Sequence, residues 1–301
     1  MRISLHLGAH KTASTYLQGV LARNGDRLRD QGHACFGPDR LRHDLRLPAL
    51  DPARPVQAAG FAPLGAALAQ DAGAGRHLLL SEENLMGTTR PGSVAQGACL
   101  YPQAAPRIDR FLTAVQVSEV TLYLAVRSPL PFLVSAFGQR MMAGKLTDFD
   151  SYCAGVEPLA LRWSDLVLRL VALPRVAQVI VWRHEDHADV LAQVLAHMLG
   201  PDVAGTLHLP RRATHAGPSA RAIDEATAAL QQQPAPEPRK AIRAAMKRWP
   251  KSAEFPGPMP FDAATRARSD TEYVADIARI AALGGVTLLS PASAQVGATR
   301  E

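Results

Sequence analysis

The chain has 301 residues, of which 47% are hydrophobic and 20% charged, a balance that is typical of a globular protein with a sizeable core. Its formal net charge of +6 favours anionic ligands in general, but no dense run of basic residues interleaved with aromatics points to nucleic acid. The three cysteines are scattered without CxxC spacing, which argues against a disulfide framework and against a zinc site.

We expect a cytoplasmic protein without a signal peptide or a membrane span. The first apolar stretch, residues 3–7, is interrupted by polar residues and runs straight into a glycine turn, unlike a signal peptide. Later apolar stretches are broken by Arg127, Arg169 and Arg175 before they reach the roughly 18 residues that a membrane helix needs.

The predicted elements begin with a strand, a turn and a helix. Alternating apolar residues predict a strand over 3–7. Apolar residues at helical spacing, Leu17, Val20 and Leu21, predict the helix that follows. Ser14 is a good N-cap for that helix, because its hydroxyl can accept a hydrogen bond from a free N–H of the first turn.

Strands and helices then alternate along the chain. Short apolar runs predict buried strands at 77–81, 120–126 and 178–182. Helical patterns are predicted at 56–70, 108–117, 129–143, 159–172 and 185–199. This alternation is typical of an α/β fold, a three-layer sandwich with a central parallel sheet and right-handed crossovers, like that of P-loop NTPases.

The region after Pro201 is mainly helical. Helices are predicted at 220–232, 239–249 and 262–283, followed by a short strand at 286–289. We therefore expect one domain over residues 1–301, in which residues 201–301 form a mainly helical appendage.

The turn between the first strand and the first helix is a candidate anion site. Free N–H groups of the helix start and the helix dipole attract negative charge, and Lys11 adds a full positive charge. Thr12, Ser14 and Thr15 add hydroxyl donors. A capped helix start with a solvated lysine would also account for these residues. The spacing is not that of a Walker A motif, which places a second glycine directly before the lysine, so an ATPase or GTPase is disfavoured.

The segment Leu7-Gly-Ala-His-Lys-Thr-Ala-Ser-Thr-Tyr16 resembles the 5′-phosphosulfate-binding loop of the sulfotransferase family, in which proline-lysine-[Ser/Thr]-glycine-[Ser/Thr]-[Ser/Thr] precedes an aromatic residue. The resemblance implies that the loop binds the 5′-phosphate of 3′-phosphoadenosine 5′-phosphosulfate (PAPS) and that Lys11 stabilises the bridging oxygen. The implied contacts come from Lys11, Thr12, Ala13, Ser14, Thr15 and Tyr16. Two positions depart from the family pattern, since His10 replaces proline and Ala13 replaces glycine. If position 13 needs a positive φ, alanine there costs about 1 kcal/mol.

A second pair of residues points to a second phosphate. Strand 120–126 ends in Arg127, and Ser135 follows eight residues later. The planar guanidinium of arginine donates two parallel hydrogen bonds and therefore suits a phosphate. An exposed arginine at a strand end and a serine on a helix would be the plainer explanation. In the sulfotransferase family this arrangement forms the 3′-phosphate site, so the resemblance implies that Arg127 and Ser135 bind that phosphate.

Transfer to a hydroxyl needs a proton acceptor. Glu82 and Glu83 directly follow strand 77–81, at the sheet edge where ligands of α/β proteins gather. Adjacent residues of a strand point to opposite sides, so only one of them can face the site. Residues 80–84 are similar to a stretch of bacterial sulfotransferase-like proteins, and this resemblance makes Glu83 the base and Glu82 the runner-up. A solvated loop carboxylate is the alternative.

Other polar residues have plainer predicted roles. We expect His6 to be a hydrogen-bonded core histidine. His184 and His187 hint at a metal pair, but their position at a helix start favours exposed capping. Arg211 and Arg212 are candidates for the basic loop that covers the adenine in the sulfotransferase family, although the resemblance covers roughly the first 200 residues only.

A basic stretch lies between the first helix and the second predicted strand. It is either a surface for an anionic acceptor or, more simply, a solvated loop, and its members are Arg40, Arg42, His43 and Arg46.

These features predict in-line transfer of a sulfuryl group from PAPS to a hydroxylated small molecule or glycan, without a metal. The alternatives are an ATP-dependent small-molecule kinase and a non-catalytic relative that binds a nucleotide or a glycan. We expect the acceptor pocket among loops 37–55, 87–105 and 250–262. The identity of the acceptor and the oligomeric state cannot be predicted from the sequence.

Overall fold

The fold is built on a parallel sheet, seen here in a computed structural model that describes residues 1–48, 50, 58–210, 217–232 and 235–291. Within these residues the strands of the main sheet are β1 (Arg2–His6), β2 (His33–Phe36), β3 (His77–Ser81), β4 (Glu119–Val126), β5 (Val176–Arg183) and β6 (Val286–Leu289). Their order is β2-β3-β1-β4-β5-β6 and every pairing is parallel. The central strand β1 therefore has β3 on one side and β4 on the other.

Helices connect the strands. They are α1 (Ser14–Arg23), α2 (Gly25–Asp30), α3 (Ala62–Gly73), α4 (Ala104–Ala114), α5 (Pro129–Met142), α6 (Phe149–Tyr152), α7 (Trp163–Val171), α8 (His187–Leu199), α9 (Pro201–Gly205), α10 (Ala220–Ala229), α11 (Pro238–Arg248) and α12 (Ala263–Ala281). Single turns of 3₁₀ helix occupy Ala58–Phe61, Glu83–Leu85, Pro158–Ala160 and His184–Asp186, and a π-helical turn occupies Arg40–Asp44. A small hairpin pairs Ala95–Gln96 with Cys99–Leu100.

Apolar layers cover both faces of the sheet. In β4, Leu122 and Leu124 belong to one buried cluster, whereas Tyr123 and Ala125 belong to the other, as the alternation of a strand requires. Helices α1, α2 and α8 pack on the second face, and α3, α4, α5, α7, α10, α11 and α12 contribute to the first. Burial on both faces explains the continuous apolar runs of these strands. The structure thus confirms the predicted three-layer α/β fold with a parallel sheet.

The C-terminal third is integrated with the sheet. Strand β6 pairs with β5 along its whole length, and Ile242 of α11 and Ile280 of α12 lie in the same buried cluster as the core of β1. No helix of the described ranges is both long enough and apolar enough to cross a membrane.

Candidate active site

The loop between β1 and α1 follows the carboxyl edge of the sheet. Gly8, Lys11 and Ala13 have positive φ angles of 43°, 64° and 70°. At Gly8 only glycine fits, because a Cβ there would lie 2.2 Å from the hydroxyl oxygen of Ser14. Left-handed residues that alternate with right-handed ones turn successive N–H groups toward one side, which is the geometry of an anion-binding nest.

The N–H groups of this loop are free where an anion would bind. His10 N–H donates to the Tyr101 hydroxyl (3.0 Å) and Tyr16 N–H donates to the Ala13 carbonyl (2.9 Å). Between them, the N–H groups of residues 11–15 have no acceptor among the residues that the structure describes. Five adjacent donors without an acceptor, at the N-terminus of a helix, form a ready anion site.

The start of α1 differs from the prediction in one respect. Ser14 is the first residue of the helix and not its N-cap, which is Ala13 in the left-handed conformation (φ 70°, ψ 19°). The Ser14 hydroxyl is buried and has no hydrogen-bond partner within the described ranges. The small side chains of Ala13 and Ser14 therefore leave the N–H groups of the loop uncovered, and the buried Ser14 hydroxyl lies beside these groups.

The remaining loop side chains have different surroundings. The hydroxyl of Thr12 donates to the Ala9 carbonyl (2.5 Å) and so holds the loop itself, whereas Thr15 is exposed. Tyr16 donates its hydroxyl proton to the Pro210 carbonyl (3.0 Å). Arg211 and Arg212, which follow Pro210, lie outside the described residues.

Arg127 lies at the end of β4, beside the loop. One guanidinium nitrogen donates to the Lys11 carbonyl (3.0 Å), and the Arg127 carbonyl accepts from the indole N–H of Trp163 (2.6 Å). The next N–H, of Ser128, donates to a carboxylate oxygen of Glu185 (2.9 Å). The side chain of Arg127 and the backbone of the loop are therefore in direct contact at Lys11, and we call the region around this contact the cleft.

A cavity of about 250 Å³ adjoins this cleft. Arg127 and Ser135, eight residues apart on the chain, both line it, so the structure brings the two predicted residues together. The opposite wall comes from the C-terminal third, where Lys251 and Arg266 add two cations. Apolar side chains, among them Met259 and Phe261, complete that wall. Segment 250–262 thus lines the same cavity as Arg127.

The cations of the cleft are not neutralised. No carboxylate of the described residues lies within 4 Å of Lys11, Arg127, Lys251 or Arg266. Burial lowers the pKa of Lys11, and the positive charges of Arg127 and Lys251 lower it further. Burial also lowers the pKa of Arg127, although Glu185 acts in the opposite direction. A bound anion would relieve the repulsion among these charges.

Glu82 has a structural environment. Its side chain is only 1% exposed, and both carboxylate oxygens accept from Arg42, at 2.6 and 2.5 Å. One of these oxygens also accepts from the N–H of Asn84 (2.9 Å). A buried carboxylate paired with an arginine in this way stabilises the local structure, so Glu82 fits the role of an anchor for the basic stretch.

Glu83 is more accessible. Its carboxylate accepts from the side-chain amide of Gln18 (2.9 Å) and from Arg42 (3.2 Å), and 21% of the side chain is exposed. Burial alone would raise the pKa of Glu83, but the Gln18 hydrogen bond and the charge of Arg42 hold it below its ordinary value. Glu83 is therefore ionised at neutral pH and keeps acceptor capacity at the carboxyl edge of β3, next to β1.

Two neutral histidines support the loop. Burial lowers the pKa of His10, whose ring nitrogens lie 2.8 Å from the Tyr101 hydroxyl and 3.1 Å from the side-chain oxygen of Asn84. Burial also lowers the pKa of His6 to about 4, and its ring bonds to the Ser81 hydroxyl at 2.8 Å. His6 is thus the hydrogen-bonded core histidine that was expected.

The basic stretch is only partly solvated. Arg42, His43 and Arg46 are exposed, but Arg40 stacks on Phe36 (4.0 Å from the ring centre) and Arg42 also binds Glu82. One expectation about a charged residue is wrong. His187 is not an exposed capping residue, since it is 3% exposed. Within the part of the chain that the structure describes, no three His, Cys, Asp or Glu side chains lie together as metal ligands would.

Several residues of the site escape prediction from the sequence. Gln18 lies on α1 after the loop, and its place in the helical pattern is that of any half-exposed residue. Lys251 follows Trp249-Pro250 in a proline-rich segment that carries no recognised motif.

No protein-family model matches the chain, and no curated protein matches it. Among solved structures, the crystal structure of a sulfotransferase from Alicyclobacillus acidocaldarius is similar to this chain. The match covers 94% of this chain and 95% of the sulfotransferase chain, with 15% sequence identity and a TM-score of 0.43.

Proposed function

We propose that this chain is a PAPS-dependent sulfotransferase that moves a sulfuryl group to a hydroxyl of a small molecule or glycan. The observation that carries the proposal is the contact between the two predicted phosphate sites, in which the guanidinium of Arg127 donates to the carbonyl of Lys11. Two donor clusters in contact at adjacent strand ends support a nucleotide with two separate phosphate ends as the ligand.

The 5′-phosphate end belongs to the loop. The free N–H groups of residues 11–15 and the amine of Lys11 surround the position of a phosphate at the start of α1. Thr12 contributes by holding the loop through its bond to Ala9, while Ser14 and Thr15 offer hydroxyl donors and Tyr16 follows them on α1. The family resemblance of this segment supports the same assignment.

The 3′-phosphate end belongs to the cavity. Arg127 and Ser135 line it from β4 and α5, and Lys251 and Arg266 line it from the opposite wall. Three cations around one small space suit a phosphate dianion, which a 5′-nucleotide without a 3′-phosphate does not offer there. The unneutralised charge therefore selects PAPS over ATP.

Glu83 is the proposed base. The acceptor hydroxyl oxygen attacks sulfur in line, the bond from sulfur to the bridging phosphate oxygen breaks, and the hydroxyl proton goes to the Glu83 carboxylate. The leaving group is adenosine 3′,5′-bisphosphate, whose new negative charge is balanced by Lys11 and the loop N–H groups. Gln18 orients the carboxylate through its 2.9 Å hydrogen bond.

The test is transfer from ³⁵S-labelled PAPS to a panel of hydroxylated small molecules and sugars, in the presence of a metal chelator. We expect label in at least one acceptor and its loss in Glu83→Gln. Glu157→Gln, which changes an exposed glutamate elsewhere, is the matched control and keeps the wild-type rate. Full activity of Glu83→Gln contradicts the assignment of the base. In a parallel assay with labelled ATP and magnesium but no chelator, phosphate transfer in place of sulfuryl transfer contradicts the function.

A further inference from the structure

A cluster of three buried aromatic side chains lies between the two anion-binding segments. Tyr101, Phe132 and Trp163 are each fully buried. Their ring centres lie 6.0 Å apart for Tyr101 and Phe132, 5.1 Å for Phe132 and Trp163, and 6.3 Å for Tyr101 and Trp163. The three rings come from the segment after the small hairpin, from α5 and from α7, so the cluster joins distant parts of the chain.

Each end of the cluster carries one polar group, and each group holds one anion-binding segment. At one end, the Tyr101 hydroxyl accepts from the His10 N–H (3.0 Å) and lies 2.8 Å from the His10 Nδ1. At the other end, the Trp163 indole N–H donates to the Arg127 carbonyl (2.6 Å).

The hydrogen bonds at His10 form a closed set. With its single proton, the Tyr101 hydroxyl donates to Nδ1 while its oxygen accepts from the backbone N–H. The proton of the neutral ring then sits on Nε2, which donates to the side-chain oxygen of Asn84 (3.1 Å). His10 therefore needs the hydroxyl of residue 101, and a proline or an apolar residue at either position would leave part of the set unmade.

Tyr101 is itself held in a strained backbone conformation. Its φ is 45°, in the left-handed region that an aromatic residue rarely adopts. The guanidinium of Arg169 donates to the Tyr101 carbonyl (3.0 Å) and to that of Leu100. Strain of this kind persists only when the surroundings enforce it, and it is concentrated at functional sites.

We propose that Tyr101 and Trp163 are positioning residues, which brace the loop and Arg127 at a fixed separation so that both phosphates of one nucleotide bind at once. For its ligand the inference rests on the proposed function. The ring of Phe132 fills the space between Tyr101 and Trp163. Phe132 lies one turn into α5, the helix that follows Arg127.

The brace predicts a particular pattern of lost affinity. In Tyr101→Phe, two buried polar groups of His10 lose their partner, and we expect adenosine 3′,5′-bisphosphate to bind about ten-fold more weakly. Trp163→Phe removes one donor from the Arg127 carbonyl and has a similar effect. Adenosine 5′-phosphate does not span the two segments, so its affinity changes by less than about two-fold and the preference for the bisphosphate falls.

Two substitutions elsewhere are matched controls. Tyr152→Phe also removes a tyrosine hydroxyl, which donates to the Thr89 carbonyl (3.2 Å) and not to the loop. Trp182→Phe also shrinks a buried indole, whose N–H has no hydrogen-bond partner in the described part of the chain. Both controls keep the wild-type preference for the bisphosphate. Equal losses for bisphosphate and monophosphate in the brace variants, or equal losses in the controls, overturn the inference.

A second measurement is independent of any ligand. Hydrogen–deuterium exchange at the His10 amide in the free protein becomes about ten-fold faster in Tyr101→Phe and is unchanged in Tyr152→Phe. Unchanged exchange at His10 in the folded variant overturns the brace even if the nucleotide binds. Failure of the wild-type protein to bind the bisphosphate, with the expected change in exchange, contradicts the proposed function alone.

Discussion

Replacing Ala13 by glycine should stabilise the protein, although glycine weakens the interior of a helix. Ala13 has φ 70° and ψ 19°, and a residue with a Cβ pays about 1–2 kcal/mol in that region. Glycine avoids this strain but loses about 0.5–1 kcal/mol in backbone entropy on folding. The net expectation is a rise in the free energy of unfolding of about 0.5–1 kcal/mol, or roughly 1–3 °C in melting temperature.

Urea denaturation followed by circular dichroism measures this change, and Ala66→Gly is the matched control. Ala66 is exposed in the interior of α3, where the same substitution costs about 1 kcal/mol because the residue is helical. The two variants should therefore shift the midpoint in opposite directions. If Ala13→Gly destabilises the protein as Ala66→Gly does, the loop does not have the left-handed conformation on which the anion site depends.

Three further predictions concern single side chains. Lys11→Ala should lower the transfer rate by about 10²-fold, because it removes positive charge at the leaving group. Arg127→Ala should mainly weaken donor binding, by about 10-fold or more. Steady-state kinetics separates the two effects, and a normal rate in Lys11→Ala refutes the role of Lys11. Glu82→Gln should lower the free energy of unfolding by roughly 1–3 kcal/mol, because it breaks a buried ion pair. Glu83→Gln should change that free energy by less than about 0.5 kcal/mol. Equal denaturation midpoints in the two variants would contradict the distinction between the glutamates. Burial lowers the pKa of His6 from 6.5 to about 4, so its contribution to stability is complete above pH 6.5 and is lost as the pH falls toward 4. His6→Asn should therefore flatten the pH dependence of the urea midpoint between these values. An unchanged slope refutes the assignment.

The sheet and its order of elements follow from local patterns. Apolar runs such as that of β4 predict strands that are covered on both faces. Gly8 predicts the turn after β1, and only glycine fits there beside Ser14. The pairing of Arg127 with Ser135 was implied by the family resemblance and not by the residues alone, and both residues line one cavity.

The missed parts depend on distant contacts. Strand β2 has only four residues, with a histidine and a cysteine among them, and it is a strand because β3 lies beside it. Predicted helix 108–117 begins instead at Ala104, because Pro106 is tolerated in a first turn. Lys251 reaches the cleft from more than 100 residues beyond Arg127, and no local pattern in the sequence encodes such an approach.

Calorimetric titration with adenosine 3′,5′-bisphosphate, against ATP with magnesium and against adenosine 5′-phosphate, tests the two-phosphate cleft most directly. We expect the bisphosphate to bind at least ten-fold more tightly than either competitor, and we expect this advantage to disappear in Arg127→Ala. Tighter binding of ATP, or equal binding of the bisphosphate and the monophosphate by the wild-type protein, would contradict the account.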